Sequence, residues 1–399
     1  MRQDSPGWRR EGGAMRLFLV MLFSLLCLGC GSSSSAPGAL PLVKIGVVAP
    51  LDAGLVEFGR GIRNSVELAV RLANESGQFQ VAFQVVALDD SSTPSVGEAA
   101  ARELAADPQV IGVVGTYNSG VAALVKPVLN EAGIVMISPG NTDPTLTLGP
   151  NPAVPVRPHS NYFRLVVPDS IQGSVLAEHA FNTLGVREVA LVSENKPVSL
   201  ALVDAFETRF VALGGTVVGE QQFAEGTSDF SGVIAAVQGV KPELIVFGGE
   251  FASAGPFRNQ ATTAGLTVPL MGSDGIKDAA YITLGGAGSE GDFASSLGAP
   301  LNSQPQGPAF LAAYQSAGFA EPPSDFGPYA FDAARLILEA VGRRGFDRAG
   351  VIADVQQANT QGITGPLSFD AFGDTRNRVV TIYRVVGGEF VPQTTVTVP

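Results

Sequence analysis

Residues 110–147 read VIGVVGTYNSGVAALVKPVLNEAGIVMISPGNTDPTLT and restrict this chain to few architectures. An apolar run rich in β-branched residues, 110–114, is followed by a small polar loop, 115–120, and then by Val121, Leu124, Val125, Val128 and Leu129 at helical spacing. Strand, loop and helix follow one another. The unit then repeats: 134–137 is a second buried-strand run, 138–141 a second loop, and Thr142, Asp143 and Pro144 are residues suited to starting a helix. Both loops should leave one edge of a sheet side by side. Each should offer backbone N–H groups and a hydroxyl, Ser119 in the first and Thr142 in the second, to a carboxylate-sized anion. Taken alone, Ser119 and Thr142 also read as ordinary helix caps, and Asp274 before Gly275 as a turn; their meeting in one cleft is what a binding role requires.

The same alternation runs through most of the chain. Before it come a strand at 43–49, an amphipathic helix carrying Ile62, Val66, Ala69, Val70 and Ala73, a strand at 81–88 and an alanine-rich helix at 96–106. The proline-rich stretch 150–160 reads as a surface excursion, after which 162–167 returns to strand character. A second series follows, with helices expected at 170–183, 200–212, 230–237 and 254–264 and strands at 188–192, 216–222, 244–247 and 269–271. Helices at 310–316 and 329–341 and strands at 366–370 and 379–386 close the chain. Repeated βα units imply doubly wound parallel sheets, whose ligands sit at the carboxyl ends of the strands. A chain of 399 residues with 45% apolar content exceeds what one core usually supports, so two lobes are expected. The late helices would pack back onto the first lobe, making the chain cross more than once, as in a hinge.

Composition narrows the function. A formal charge of −12 argues against a nucleic-acid partner. His159 and His179 are the only histidines, and there is no GxSxG elbow or Walker loop, so no metal, cofactor or catalytic residue is called. Residues 286–291 formally satisfy GxGxxG but follow no clear strand and read as a loop.

At the N-terminus, Arg9, Arg10 and Arg16 precede a 13-residue apolar stretch, 17–29, the length of a signal-peptide core and too short to span a bilayer. Met15 is an alternative start. Cys30 and the Gly/Ser spacer after it resemble a bacterial lipoprotein signal, which implies lipidation of Cys30; ordinary cleavage leaving a free thiol is the alternative. With Cys27 and Cys30 the only cysteines, the mature chain has no internal disulfide, and loss of residues 1–29 would leave a charge of −14.

The stretches VKIGVVAPL (43–51), EFGRGIRNSVELAV (57–70), IGVVGTYNSG (111–120), GIVMISPGNTDPTLT (133–147), YFRLVVPD (162–169), FGGE (247–250), LMGSDG (270–275), GPYAFDAA (327–334) and GPLSFD (365–370), in this order and spacing, resemble the type I periplasmic solute-binding proteins. The resemblance is to the branched-chain amino acid binding family of ABC importers. It implies two Rossmann-like α/β lobes with parallel central sheets joined by a multi-strand hinge: signal peptide 1–29, tether 30–41, lobe 1 as 42–167 with 295–366, and lobe 2 as 168–294 with 367–399. It implies a non-enzymatic, exported, membrane-anchored protein that hands an amino acid or small carboxylate to a permease. A sensory binding subunit, or a binder of another small molecule, is the alternative. Ser119, Gly140 and Thr142 fall where the family holds the α-carboxylate and part of the α-ammonium. Asp274 falls where an acid receives the α-ammonium, and Phe58 where a ring covers the ligand side chain. Val198 and Glu250 stand where aromatics are usual; Glu250 either receives a cationic or hydrogen-bonding ligand group or is a solvated loop-tip acid.

Overall fold

The computed structural model describes residues 40–398; the signal-peptide and Cys30 expectations lie outside them. The first half comprises β1 Leu42–Ala49, α1 Val56–Ser76, β2 Ala82–Asp89, α2 Pro94–Ala106, β3 Val110–Gly115, α3 Ser119–Glu131, β4 Val135–Ser138, α4 Thr145–Leu148 and β5 Tyr162–Arg164. Its five strands form one sheet in the order β2-β1-β3-β4-β5, every pair parallel. Such a sheet must be covered on both faces, and the strand residues divide accordingly. Val43, Ile45 and Val47 join the core under α1, whereas Val48, Val110 and Val113 pack with Leu104, Val121 and Val125 of α2 and α3. The periodicity expected of α1 is met at Ile62, Val66, Ala69 and Val70, which are buried, while Ala73 is half-buried.

The second half runs through α5 Asp169–Glu178, which continues as a π-helical turn His179–Thr183, then β6 Glu188–Glu194, α6 Pro197–Ala212, β7 Thr216–Phe223, α7 Ser231–Val240, β8 Leu244–Gly248, α8 Phe251–Thr263, β9 Leu270–Gly272, α9 Ala279–Gly285 and β10 Phe293–Leu297. The chain next forms α10 Gly307–Ala317, α11 Gly327–Arg344, α12 Arg348–Gln356, and strands β11 Asn359–Gly362, β12 Gly365–Ser368, β13 Val379–Val386 and β14 Glu389–Thr397. The second sheet has the order β14-β13-β10-β9-β8-β6-β7, antiparallel only where β13 joins β10 and β14. As expected, α11 returns to pack on α1 and β3 of the first half; α12 also packs there, on β3 and β4.

The structure departs from the sequence expectations at the crossings. β10 was not expected, because its centre, Ser295 and Ser296, is polar; the Ser295 hydroxyl is buried and donates to Gln172 Oε1 (2.8 Å). Residues 295–297 therefore pair with β13 in the second sheet, and the expected boundary at 294/295 cuts a strand. The boundary at 366/367 likewise falls inside β12, which pairs only with β11 as a separate hairpin. β14 and α12 were also missed. Residues 286–289 form a 3₁₀ turn between α9 and β10. The stretch 150–160 holds no strand and most of it is exposed, although Arg157 reaches the distant Gln356 and Ala371 O.

One buried ion pair ties a crossing to the first sheet. Arg164, at the end of β5 and fully buried, donates through Nε to Asp374 Oδ1 (2.5 Å), and its other nitrogens reach Asp143 O (2.7 Å) and Thr147 Oγ1 (2.7 Å). A guanidinium can be buried only when its donors are met like this. The residue thus pins the loop after β4 to the segment leading into β13.

Candidate functional site

A cavity of about 280 Å³ opens where the loops after β3 and β4 face those after β8 and β9. Ser119, Gly140, Thr142, Glu250 and Asp274 all line it. Phe58 does not: it is fully buried one layer behind, in edge or tilted contact with Tyr117, Phe251 and Phe326 at centroid distances of 4.8–5.2 Å. The ring that reaches the cavity is Tyr117. A large apolar residue in α1 points into the core because that face of the helix is covered by α11.

The first wall is held from within. Gly115 ends β3 at φ +144°, where a Cβ would lie 2.3 Å from Val48 O, so only glycine allows the strand to turn into the loop here. Ser138 Oγ donates to Thr116 O (2.9 Å) and accepts from the N–H groups of Gly140 (3.2 Å) and Asn141 (2.9 Å). Asn141 Nδ2 donates to Tyr117 O (2.7 Å), and its Oδ1 accepts from Tyr162 Oη (3.0 Å). The Thr142 and Asp143 N–H groups both donate to Ser119 Oγ, at 3.3 Å each. The amides of the second loop are therefore not free for an anion, contrary to the sequence expectation. That loop also opens no long helix, since α4 is a single turn whose first N–H is met by Asp143 Oδ1 (2.8 Å).

This arrangement changes what Ser119 offers. With two donors already on its oxygen, the hydroxyl is left to donate its own proton, and it stands at the start of the 13-residue α3. The first N–H groups of any α-helix lack intrahelical partners, and Asn118 makes no side-chain cap to them. The donors that this wall leaves open are the Ser119 hydroxyl and the first amides of α3. Thr142 turns its hydroxyl to Asp169 instead.

The opposite wall is acidic. Asp274 accepts from Gln172 Nε2 (2.9 Å), and burial pushes its carboxyl up to about 6. Asp169, the first residue of α5, is 1% exposed and its Oδ2 has no hydrogen-bond partner among the described residues. Burial, reinforced by Asp274, drives its pKa well above the carboxylate range. Sequence reasoning treated 169–170 only as a helix start and missed this group; an acid beside a strand end was the available signal. Glu250 is not a solvated loop-tip acid. It precedes α8 with its side chain mostly buried, accepts from Asn118 Nδ2 (3.0 Å) and pairs with Lys196 Nζ (3.3 Å), and burial raises its pKa. Lys196 also meets Glu225 (2.9 Å) and Glu194 (3.4 Å), and these carboxylates hold its pKa above the usual lysine range against the cost of burial. Besides the expected Asp274 and Glu250, Asp143, Asp169 and Glu225 line the cavity, against Lys196 as the one lining cation among the described residues. Val198 and Leu202 supply apolar surface between them.

Comparison with known proteins places this geometry. A "Leu/Ile/Val-binding protein homolog 3" of Brucella melitensis is 28% identical over 362 residues, covering 89% of this chain and 95% of the relative. An "Amino acid binding protein" of Pseudomonas aeruginosa is 27% identical over 348 residues, 86% of this chain and 90% of its own. Two solved structures share the fold. One is a branched-chain amino acid transporter substrate-binding protein of Streptococcus pneumoniae in complex with isoleucine (TM-score 0.79, 24% identity, 88% of this chain and all of that one). The other is an ABC transporter solute-binding protein of R. palustris in complex with benzoate (TM-score 0.77, 22% identity, 90% and 96%). The family model described as periplasmic binding protein matches residues 42–389. With nearly all of the described chain inside that match, and with facing strand-end loops enclosing one cavity, this protein belongs to the periplasmic binding protein family, whose members bind solutes rather than catalyse reactions.

Proposed function

We propose that the protein is the extracytoplasmic substrate-binding lipoprotein of an ABC importer, anchored through Cys30, which captures an amino acid in this cavity and delivers it to the permease. One observation carries the reading: a hydroxyl donor at a helix start, Ser119, and the carboxylates Asp169 and Asp274 line the same small cavity from its two sides. The ligands named for the two solved relatives, isoleucine and benzoate, share a carboxylate. A carboxylate suits Ser119 and the first amides of α3. Only an amino acid also brings an ammonium for Asp169 and Asp274, which favours it over a benzoate. At about 280 Å³ the space lies just under the ~300–1,000 Å³ usual for drug-sized ligands.

In this reading the ligand docks on the half built around the all-parallel sheet, and the other half closes over it about the crossings at 165–168, 298–306 and 369–378. Ligand then shifts an open–closed population by its differential affinity. Isothermal calorimetry tests the site: Asp274→Asn and Ser119→Ala each weaken binding of the cognate amino acid at least tenfold with unchanged melting of the unliganded protein. Unaltered affinity in both variants would sink the assignment. A thermal-shift screen of amino acids and small carboxylates supplies the cognate ligand, because binding raises apparent stability.

A further inference from the structure

Resting on that reading, we propose that the ligand is an amino acid whose side chain ends in N–H donors, cationic ones ahead of neutral amides, with that end seated against Glu250 and Asn118. Three observations converge on it. Among the described residues that line the cavity, carboxylates outnumber the single cation even with Asp169 kept neutral by burial, so a bound ligand with one net positive charge relieves repulsion where an aliphatic one leaves it. That one cation is already shared: Lys196 lies within 4 Å of carboxylate oxygens on Glu194, Glu225 and Glu250. Asn118, which donates to Glu250, and Ser92 both line the cavity, and Asn118 Oδ1 and Ser92 Oγ are buried without a hydrogen-bond partner among the described residues.

A second unpartnered acceptor, Asp169 Oδ2, sits in the same cavity on a side chain that is almost wholly buried. Acceptors left unmet away from water are costly, and a ligand with donors at two separate points meets both. The α-ammonium answers Asp169 and Asp274; a terminal guanidinium, ammonium or carboxamide answers Asn118 Oδ1 and the outer face of Glu250. Val198 and Leu202, on the same lining, suit the methylenes in between. A branched aliphatic side chain would leave Asn118 Oδ1 and Ser92 Oγ unmet and cover a charged pair with hydrocarbon.

Calorimetry on the full mature chain with L-arginine, L-lysine, L-glutamine, L-leucine and benzoate tests this. Arginine or lysine should bind at least tenfold more tightly than leucine, with glutamine between. Glu250→Gln should shrink the arginine-to-leucine affinity ratio at least tenfold, and Glu225→Gln, at the exposed rim, by a smaller factor, with the melting temperature of each unliganded variant reporting that it folds. Leucine binding as tightly as arginine, lysine and glutamine overturns the side-chain assignment while leaving amino acid capture intact. Benzoate binding with no amino acid binding overturns both.

Discussion

The two walls of the cavity are built from opposite materials. On the first, polarity comes from backbone and neutral side chains at the ends of β3 and β4, and nearly every group is committed: Ser138 holds two amides, Ser119 two more, Asn141 bridges to Tyr117 and Tyr162. On the second, polarity comes from ionisable side chains, several of them held by burial above their ordinary pKa. One wall is largely held in place before ligand arrives, with only the Ser119 hydroxyl, the first amides of α3 and the Asn118 and Ser92 oxygens left to be met, and the other is left electrostatically incomplete. A preorganised wall keeps ligand binding from having to order it, whereas an incomplete one makes closure depend on the charge the ligand brings.

The most severe way to break the comparison is to loosen the preorganised wall. Arg164→Leu removes the cation that fixes the loop after β4 and leaves Asp374 buried without its partner, so urea denaturation should show a loss of about 3–5 kcal/mol. Replacing Arg164 and Asp374 together by apolar residues should recover much of that loss; no recovery would mean that the contacts to the loop, not the ion pair, dominate.

A change of pH acts on ligand binding through the acids of the incomplete wall. Asp274, held up to about 6 by burial, faces Gln172, with Asp169, Asp325, Tyr117 and Tyr329 as the other titratable groups that sense it. At pH 7.5 its carboxylate is ionised and receives an ammonium; at pH 5 it is protonated and offers no charge. Affinity for an amino acid should therefore fall about tenfold between pH 7.5 and 5, and calorimetry in buffers of different ionisation heat should detect proton release on binding near pH 6. A ligand with a carboxylate and no ammonium should show little of this loss.

The smallest effect concerns a buried acid beneath the rim of the first wall. Asp90, pushed up to about 7 chiefly by burial and further by Asp89, accepts from the Ser92 N–H (2.9 Å) through Oδ1, while Oδ2 has no partner. A carboxyl whose pKa is raised on folding costs stability when ionised, so the cost is present above about pH 7 and fades as pH falls toward the unfolded value. Asp90→Asn keeps the accepting oxygen and should stabilise the protein by about 1 kcal/mol at pH 8 and by less at pH 5, read from chemical denaturation.

What could be read in advance follows a pattern. Runs such as 110–114 and 244–247 are continuously apolar because parallel strands are covered on both faces, and that signal survives in one dimension. β10 escaped because Ser295 is buried against a partner 123 residues away, Gln172, which no local pattern reveals. Phe58 was placed on the ligand by likeness to a family, yet α11 and the rings of Tyr117 and Phe326 enclose it. Glu250 read equally as solvated or engaged, and the answer lay with Asn118 and Lys196, 132 and 54 residues away.

The βα alternation and the positions of Ser119, Gly140, Thr142 and Asp274 at strand ends were properties of the sequence, since periodicity and turn chemistry act over a few residues. Which hydroxyl keeps a proton to give, which carboxylates share one lysine, and which ring reaches the cavity were decided only by tertiary structure. Hydrogen-bond partnership and desolvation depend on what lies across a gap, and here the two sides of that gap are contributed by segments more than 100 residues apart along the chain.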